Sequence, residues 1–357
     1  MRVTVAAWIG SANAGDELIF AALRHKLLAR GAHVIAVTTH PTADRSTVGH
    51  LAPLALTRTI RDSDALVFGG GGLLQDQTSG FNLPYHLSRL ALARALGTRR
   101  AVVGIGAGPL RTAAGRIQVR RALRGVTAIS ARDAGSADLL RSLGVTGVRV
   151  TADLALSLPS PQIAPADVLC VCLRPWRAAR GRLPVGVRAR TDVTPEPMVD
   201  RLARGLDHAA GALGLSVRLV AMRPGWDDRL HARVAERLAA DVELATPPAD
   251  RVVDVIAASR VVVAMRYHAG IAALLAGRPA VLIGYDPKVT SLAGAMGDGA
   301  RLLEWTPDDL TSLGSATVAV ADGGGAGLAA ALAALRAREH GNDAVLDEVL
   351  GVAEARR

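Results

Sequence analysis

Short apolar runs alternate along this chain with longer segments whose apolar positions recur at helical spacing. Residues 3–8, 34–38, 65–68, 101–105 and 128–130 read as strands in the first half, with helices between them, for example over 17–30 and 84–96. This alternation predicts parallel sheets wrapped by helices. Residues 157–167, S-L-P-S-P-Q-I-A-P-A-D, carry three prolines and read as a stiff linker. Strand-like runs then resume at 168–173, 217–221, 261–264 and 280–283. The expectation is α/β: two Rossmann-like, doubly wound domains, 1–158 and 166–318, facing a cleft, with ligands at the carboxyl ends of the strands. An Ala-rich tail, 323–357, reads as a glycine hinge followed by a helix. Its pattern is compatible with packing back on the first domain or with trailing free.

Composition narrows the partners. A chain of 357 residues is longer than one core usually serves, and with 50% hydrophobic residues it can build two. Aromatics are only 3%, so Ala, Val and Leu must fill those cores, and stacking platforms for single-stranded nucleic acid are scarce. The formal charge of +10 favours anionic partners. Its arginines are scattered through helices, and the densest group, 116–124, is one amphipathic stretch. That favours an anionic substrate or membrane surface over nucleic acid, while most single arginines are read as solvated surface. Cys170 and Cys172 lie two apart on one run, poorly placed to bond each other and too few for a metal cage. They are read as core residues in a reducing cytoplasm. No signal-peptide pattern and no membrane-spanning run is visible, so a cytoplasmic location with peripheral contact at the inner membrane face is the expectation. No residue spacing suggests a metal site, and the oligomeric state is open.

Candidate chemistry gathers at strand ends. Met265-Arg266-Tyr267-His268 closes one apolar run and Tyr285-Asp286-Pro287-Lys288 the next, so Arg266, His268 and Lys288 converge as an anion site. Of 42 basic residues only Lys26 and Lys288 are lysine; a planar fork and a compact ammonium differ, so a lysine spared by such drift is a candidate for a role that needs lysine. Gly10-Ser11-Ala12-Asn13-Ala14-Gly15-Asp16-Glu17 follows the first strand, placing Gly15 against a ligand and Asp16 either as a helix cap or as a catalytic carboxylate. It matches neither a dinucleotide fingerprint nor a P-loop. Gly69-Gly70-Gly71-Gly72, then Gln75 and Asp76, reads as a loop lying against a substrate, with Gln75 and Asp76 turned to hydroxyls. Gly104-Ile105-Gly106 would share that rim, and Arg132-Asp133 ends another strand on the same side.

Together, G-D-E near the start, F-G-G-G-G-L-L-Q-D, G-I-G-A-G-P, S-A-R-D, T-A-D-L-A at 151–155, M-R-Y-H-A and G-Y-D-P-K-V resemble the bacterial polysaccharide pyruvyl transferase family, over about residues 8–295. The pair R-Y-H-A and Y-D-P-K-V is specific, whereas each glycine motif alone is weak. The resemblance implies a GT-B-like fold and transfer of pyruvate from phosphoenolpyruvate to a saccharide of the cell envelope, forming a ketal and releasing phosphate. It also implies that Arg132, His268 and Lys288 hold phosphoenolpyruvate, with Arg266 beside them. Where the family often has V-R-D this chain has A-R-D, a minor departure that leaves Arg132 in place.

That chemistry needs an acid and a base. Histidine is the side-chain type suited to proton transfer near neutral pH, so His268 is the candidate acid; Asp16 is the candidate base, with Asp227 and Asp228 in reserve. Phosphoenolpyruvate is a co-substrate, so no cofactor is expected, and the saccharide acceptor is free or lipid-linked. The competing readings are a nucleotide-sugar glycosyltransferase and a non-catalytic anion-binding protein on the same fold.

Overall fold

The computed structural model describes residues 1–44, 46–77, 79–175 and 194–351. Its first sheet contains β1 (Arg2–Ile9), β2 (His33–Thr38), β3 (Thr47–Gly49), β4 (Ala65–Leu74), β5 (Arg99–Ala107), β6 (Ala128–Ala131) and β7 (Val148–Val150). They lie in the order β3-β2-β1-β4-β5-β6-β7. The second contains β8 (Val168–Cys172), β9 (Ser216–Val220), β10 (Val242–Ala245), β11 (Val261–Ala264), β12 (Ala280–Gly284) and β13 (Ala300–Glu304), in the order β10-β9-β8-β11-β12-β13. Both sheets are parallel and doubly wound, reversing between β1 and β4 and between β8 and β11. Such reversals leave a crevice beyond the carboxyl ends of the strands.

The strands outside the sequence pattern are β3, β7, β10 and β13. β3 and β7 are only three residues long, and β10 is an edge strand with three of its four residues exposed, so it has no apolar run to read. A second difference concerns the glycines after Phe68. They are not a loop: β4 runs through them to Leu74, with Gly69 opposite Val103 and Gly71 opposite Ile105. A Cβ on Gly70 would lie 3.1 Å from Ile19, Leu154 and the Gly104 carbonyl. The missing side chains therefore let the first helix, Ala14–Leu28, and the turn after β7 sit directly on the sheet.

The tail packs back on the first domain. Helix Leu328–Glu339 crosses the domain boundary and helix Gly341–Leu350 lies on β5 and β6. Val345, Leu346, Val349 and Leu350 join a core with Val103 and Leu154, a core continuous with Ile271 and Leu292 of the second domain. Asn342 accepts from Ser130 Oγ at 2.7 Å and Thr151 Oγ1 at 2.9 Å and donates to the Ala152 carbonyl at 3.1 Å. Arg336 donates to the Leu156 and Leu158 carbonyls at 2.9 and 2.6 Å, clamping the start of the linker. Lys26 sits between Glu339 and Asp343 at 3.1 and 2.9 Å, so one of the two spared lysines has a structural explanation: one compact ammonium serves two carboxylates. Residues 352–357 of the expected tail lie outside the described residues. Among the described residues no helix is long and apolar enough to cross a membrane.

Candidate active site

Both sheet reversals open on the same cleft. Beyond β1, Asn13 occupies the cap position of helix Ala14–Leu28 without a side-chain capping hydrogen bond, and Asp16 stands in the first turn. Beyond β11, Arg266 occupies the cap of helix Tyr267–Leu275, which puts His268 in the first turn. Beyond β12, Asp286 caps helix Pro287–Met296 by accepting the Lys288 N–H at 3.2 Å. The Ala14 N–H donates to the Met222 carbonyl across the domain boundary at 2.8 Å. Helix N-termini from both domains thus border the cleft, a field that favours an anion.

Arg132, just past β6 and 5% exposed, donates from Nη1 to Asp153 Oδ2 at 3.1 Å, and its guanidinium lies 4.6 Å from the Tyr267 ring centroid. Asp133 is farther, at 3.6 Å, and caps the next helix by accepting the Ser136 N–H at 2.7 Å. The same Asp153 oxygen is 3.6 Å from His268 Nε2, so one buried carboxylate links the arginine of the first domain to the histidine of the second. Burial opposes its charge, but His268 and Arg132 outweigh burial and hold Asp153 well below the usual carboxylate range. Among the described residues, Arg132 Nε and His268 Nε2 are buried without a hydrogen-bond partner. Arg132, Asp153, Tyr267 and Lys288 line one pocket between the domains, with Leu335 and Arg338 of the tail also in its wall.

Asp16 is not the helix cap. Its carboxylate accepts from Asn13 Nδ2 at 2.5 Å and faces Gly71 and His268. Burial raises its pKa, an effect only partly offset by His268, the Asn13 hydrogen bond, Arg223 and Arg266. Two glycines have steric reasons. A Cβ on Gly15 would fall 2.2 Å from His268 Nδ1, and one on Gly106 within 2.9 Å of the Arg132 guanidinium. Gly72 borders Arg132 more loosely, at 3.8 Å.

Other expected site residues have different partners. Arg266 donates from Nε to Asp227 Oδ2 at 3.1 Å and from Nη2 to Oδ1, so its charge is neutralised instead of being offered to a ligand. Asp227 is fully buried and also accepts the Arg223 N–H at 2.9 Å, while Asp228 accepts the Gly225 N–H; neither is placed as a base for a sugar hydroxyl. Asp76 is 2% exposed and accepts the Arg111 and Thr112 N–H groups at 2.8 and 2.9 Å, which fixes a loop and takes it away from the acceptor role. Gln75 similarly holds a turn by accepting the Gln77 N–H at 2.8 Å. Gly70 serves packing, as described above.

Two residues escaped the sequence reading as site members. Asp153 was visible only as part of T-A-D-L-A. Tyr285 closes its strand under Arg174, whose guanidinium is 4.4 Å from the ring centroid, with Lys288 Nζ at 5.8 Å. Burial would raise the phenol, but Arg174, Lys288 and Arg266 prevail and lower it to about 8. Among the described residues no group of three His, Cys, Asp or Glu side chains is arranged to hold a metal.

This architecture has many relatives in three dimensions. UDP-GlcNAc 2-epimerase from Neisseria meningitidis matches with a TM-score of 0.59 at 11% identity, covering 98% of this chain and 99% of its own. A glycosyltransferase from Rickettsia africae matches at 0.57 and 11%, covering 98% of each chain, and Anabaena HepE, solved with UDP and glucose, at 0.56 and 15%, covering 99% and 98%. At such identities the likeness establishes the fold, that of GT-B epimerases and glycosyltransferases. No curated protein sequence matches the chain. The family described as polysaccharide pyruvyl transferase matches residues 13–287, a span that includes Asp16, Arg132, Asp153 and His268 and ends just before Lys288. This protein belongs to the polysaccharide pyruvyl transferase family.

Proposed function

We propose that the protein transfers pyruvate from phosphoenolpyruvate to two hydroxyls of a saccharide destined for the cell envelope, giving a cyclic ketal and inorganic phosphate. The observation that carries this reading is the pocket shared by Arg132 and Lys288, one from each domain, beside His268. Phosphoenolpyruvate presents a carboxylate and a phosphate a few ångströms apart; a guanidinium fork suits the first and an ammonium the second. His268, whose Nε2 lies 3.6 Å from Asp153, gives a proton to C3. Asp16 takes the proton of the first hydroxyl as its oxygen bonds to C2. The C2–O bond to phosphate then breaks, the second hydroxyl adds to C2, and its proton leaves with the phosphate. Binding and turnover need no metal in this scheme.

The test is phosphate release from phosphoenolpyruvate in the presence of free and lipid-linked saccharides. Release that depends on both partners supports the reading. Thermal stabilisation by UDP-sugars alone, with no release, would replace it with glycosyl transfer, and stabilisation by neither would favour a non-catalytic role. Within that assay, Lys288→Ala is expected to raise KM for phosphoenolpyruvate at least about tenfold, the scale of one charge-assisted contact. Lys288→Arg tests the inference from lysine retention, and full activity there would remove it. Gly15→Ala is expected to lower turnover about 100-fold by pushing the imidazole aside, at a cost of only about 1–3 kcal/mol of stability, read from melting curves.

A further inference from the structure

The pocket between the domains lacks one of the cations expected for it. Arg266 is taken by Asp227, which leaves Arg132 and Lys288. Each of these already has a counter-charge: Arg132 donates to Asp153 at 3.1 Å, and Lys288 Nζ lies 3.3 Å from Asp286. Asp133 lines the pocket as well. Against these carboxylates two cations leave no surplus, whereas a carboxylate and a phosphate together bring about three negative charges. An anion of that charge is costly to bring out of water unless further positive charge meets it.

The pocket wall contains such a charge, and it comes from the tail. Arg338 lies in helix Leu328–Glu339, three residues after Leu335, and both side chains line the pocket with Arg132 and Lys288. Arg338 Nη2 donates to the Thr151 carbonyl at 3.0 Å, a contact that fixes the guanidinium at the domain boundary without neutralising it. Among the described residues no carboxylate pairs with Arg338. Burial raises the Tyr267 phenol, and Arg132 and Arg338 both oppose that rise, so the two guanidiniums act on one side chain of the pocket. The helix itself is tied down, by Arg336 at the Leu156 and Leu158 carbonyls and by Glu339 on Lys26.

Depth separates the three cations. Arg132 is buried, its Nε has no hydrogen-bond partner among the described residues, and its planar fork suits a carboxylate. Lys288 is half-buried and Arg338 exposed, so these two stand nearer to water, where a strongly hydrated phosphate enters and leaves. We infer that Arg338 is the third cation of this pocket and binds, with Lys288, the phosphate group of its ligand. That ligand is phosphoenolpyruvate in the reading given above, on which the assignment rests. The donor site is then completed by a helix beyond the family span of 13–287.

Calorimetric titration of the whole protein with phosphoenolpyruvate and with inorganic phosphate tests it. Arg338→Ala and Arg338→Gln should each raise the Kd for both ligands at least about tenfold, the scale of one lost charge-assisted contact. Arg338→Lys keeps the charge and should stay within about threefold of the parent. All three should melt close to the parent, because Arg338 is exposed and gives up one hydrogen bond. Parental Kd values in Arg338→Ala or Arg338→Gln overturn the inference. So does a loss in Arg338→Lys equal to that in Arg338→Ala, since charge would then not be what binds. Failure of the donor reading looks different: a parent that binds inorganic phosphate through Arg338 but neither binds nor turns over phosphoenolpyruvate keeps the phosphate site and loses the donor. A parent that binds neither ligand overturns both.

Discussion

His268→Ala is expected to reduce phosphate release about 1,000-fold, within the range assigned to a positioned general acid, while the melting temperature changes little. The small structural effect follows from geometry: Arg132 still neutralises Asp153 at 3.1 Å when the imidazole is gone. Asp153→Asn is the informative companion. It takes the counter-charge from Arg132 and His268 together, so it should lower turnover. It should also destabilise the fold by a few kcal/mol, as expected when one partner of a buried pair is removed. Turnover of His268→Ala within threefold of the parent would show that the proton reaches C3 from elsewhere. Tyr285, lowered to about 8 by its cationic neighbours, would then be the first candidate.

Asp16→Asn should have a comparable effect on activity and the opposite effect on stability. Loss of the base is expected to cost about 100-fold to 10,000-fold in turnover. Burial raises the Asp16 pKa in the folded protein, so its ionised form is disfavoured there relative to the unfolded chain. The sign follows from linkage: above the raised pKa the ionised carboxylate costs stability, and the cost disappears as pH falls below the unfolded value. Asp16→Asn removes that cost, so its melting temperature at neutral pH should equal or exceed the parent's, and the two should converge in acid. The acid limb of the parent's pH–rate profile should lie above the ordinary aspartate range and be absent from the residual activity of the variant. A variant that is less stable at neutral pH would show that Asp16 serves the fold instead.

The pattern of the chain is most readable where burial is complete. β11, read as 261–264, is four consecutive apolar residues and matches Val261–Ala264, whereas β10 at the edge exposes its side chains and left no trace. The same logic separates the site residues. His268 and Lys288 are legible because each stands in the first turn of a helix that directly follows a buried strand. Asp153 stands in a short turn, and its importance comes from Arg132 and His268 arriving on other elements, so no local signal exists. The glycines misled for a related reason: an absent side chain looks the same in sequence whether it makes room for a ligand, for Arg132 as at Gly106, or for Ile19 as at Gly70. Asp76 and Asp227 likewise look available until the backbone N–H groups and guanidinium that occupy them are in place.

The return of the last helix to the first domain also orders events in time. The ribosome completes the seven strands of the first sheet before it has made Val345, Leu346, Val349 and Leu350, which complete the core over β5 and β6. Until those residues emerge, the nascent first domain carries an uncovered apolar face and an unpartnered Lys26. The core over β5 and β6 is therefore completed only after the C-terminal helix has been synthesised.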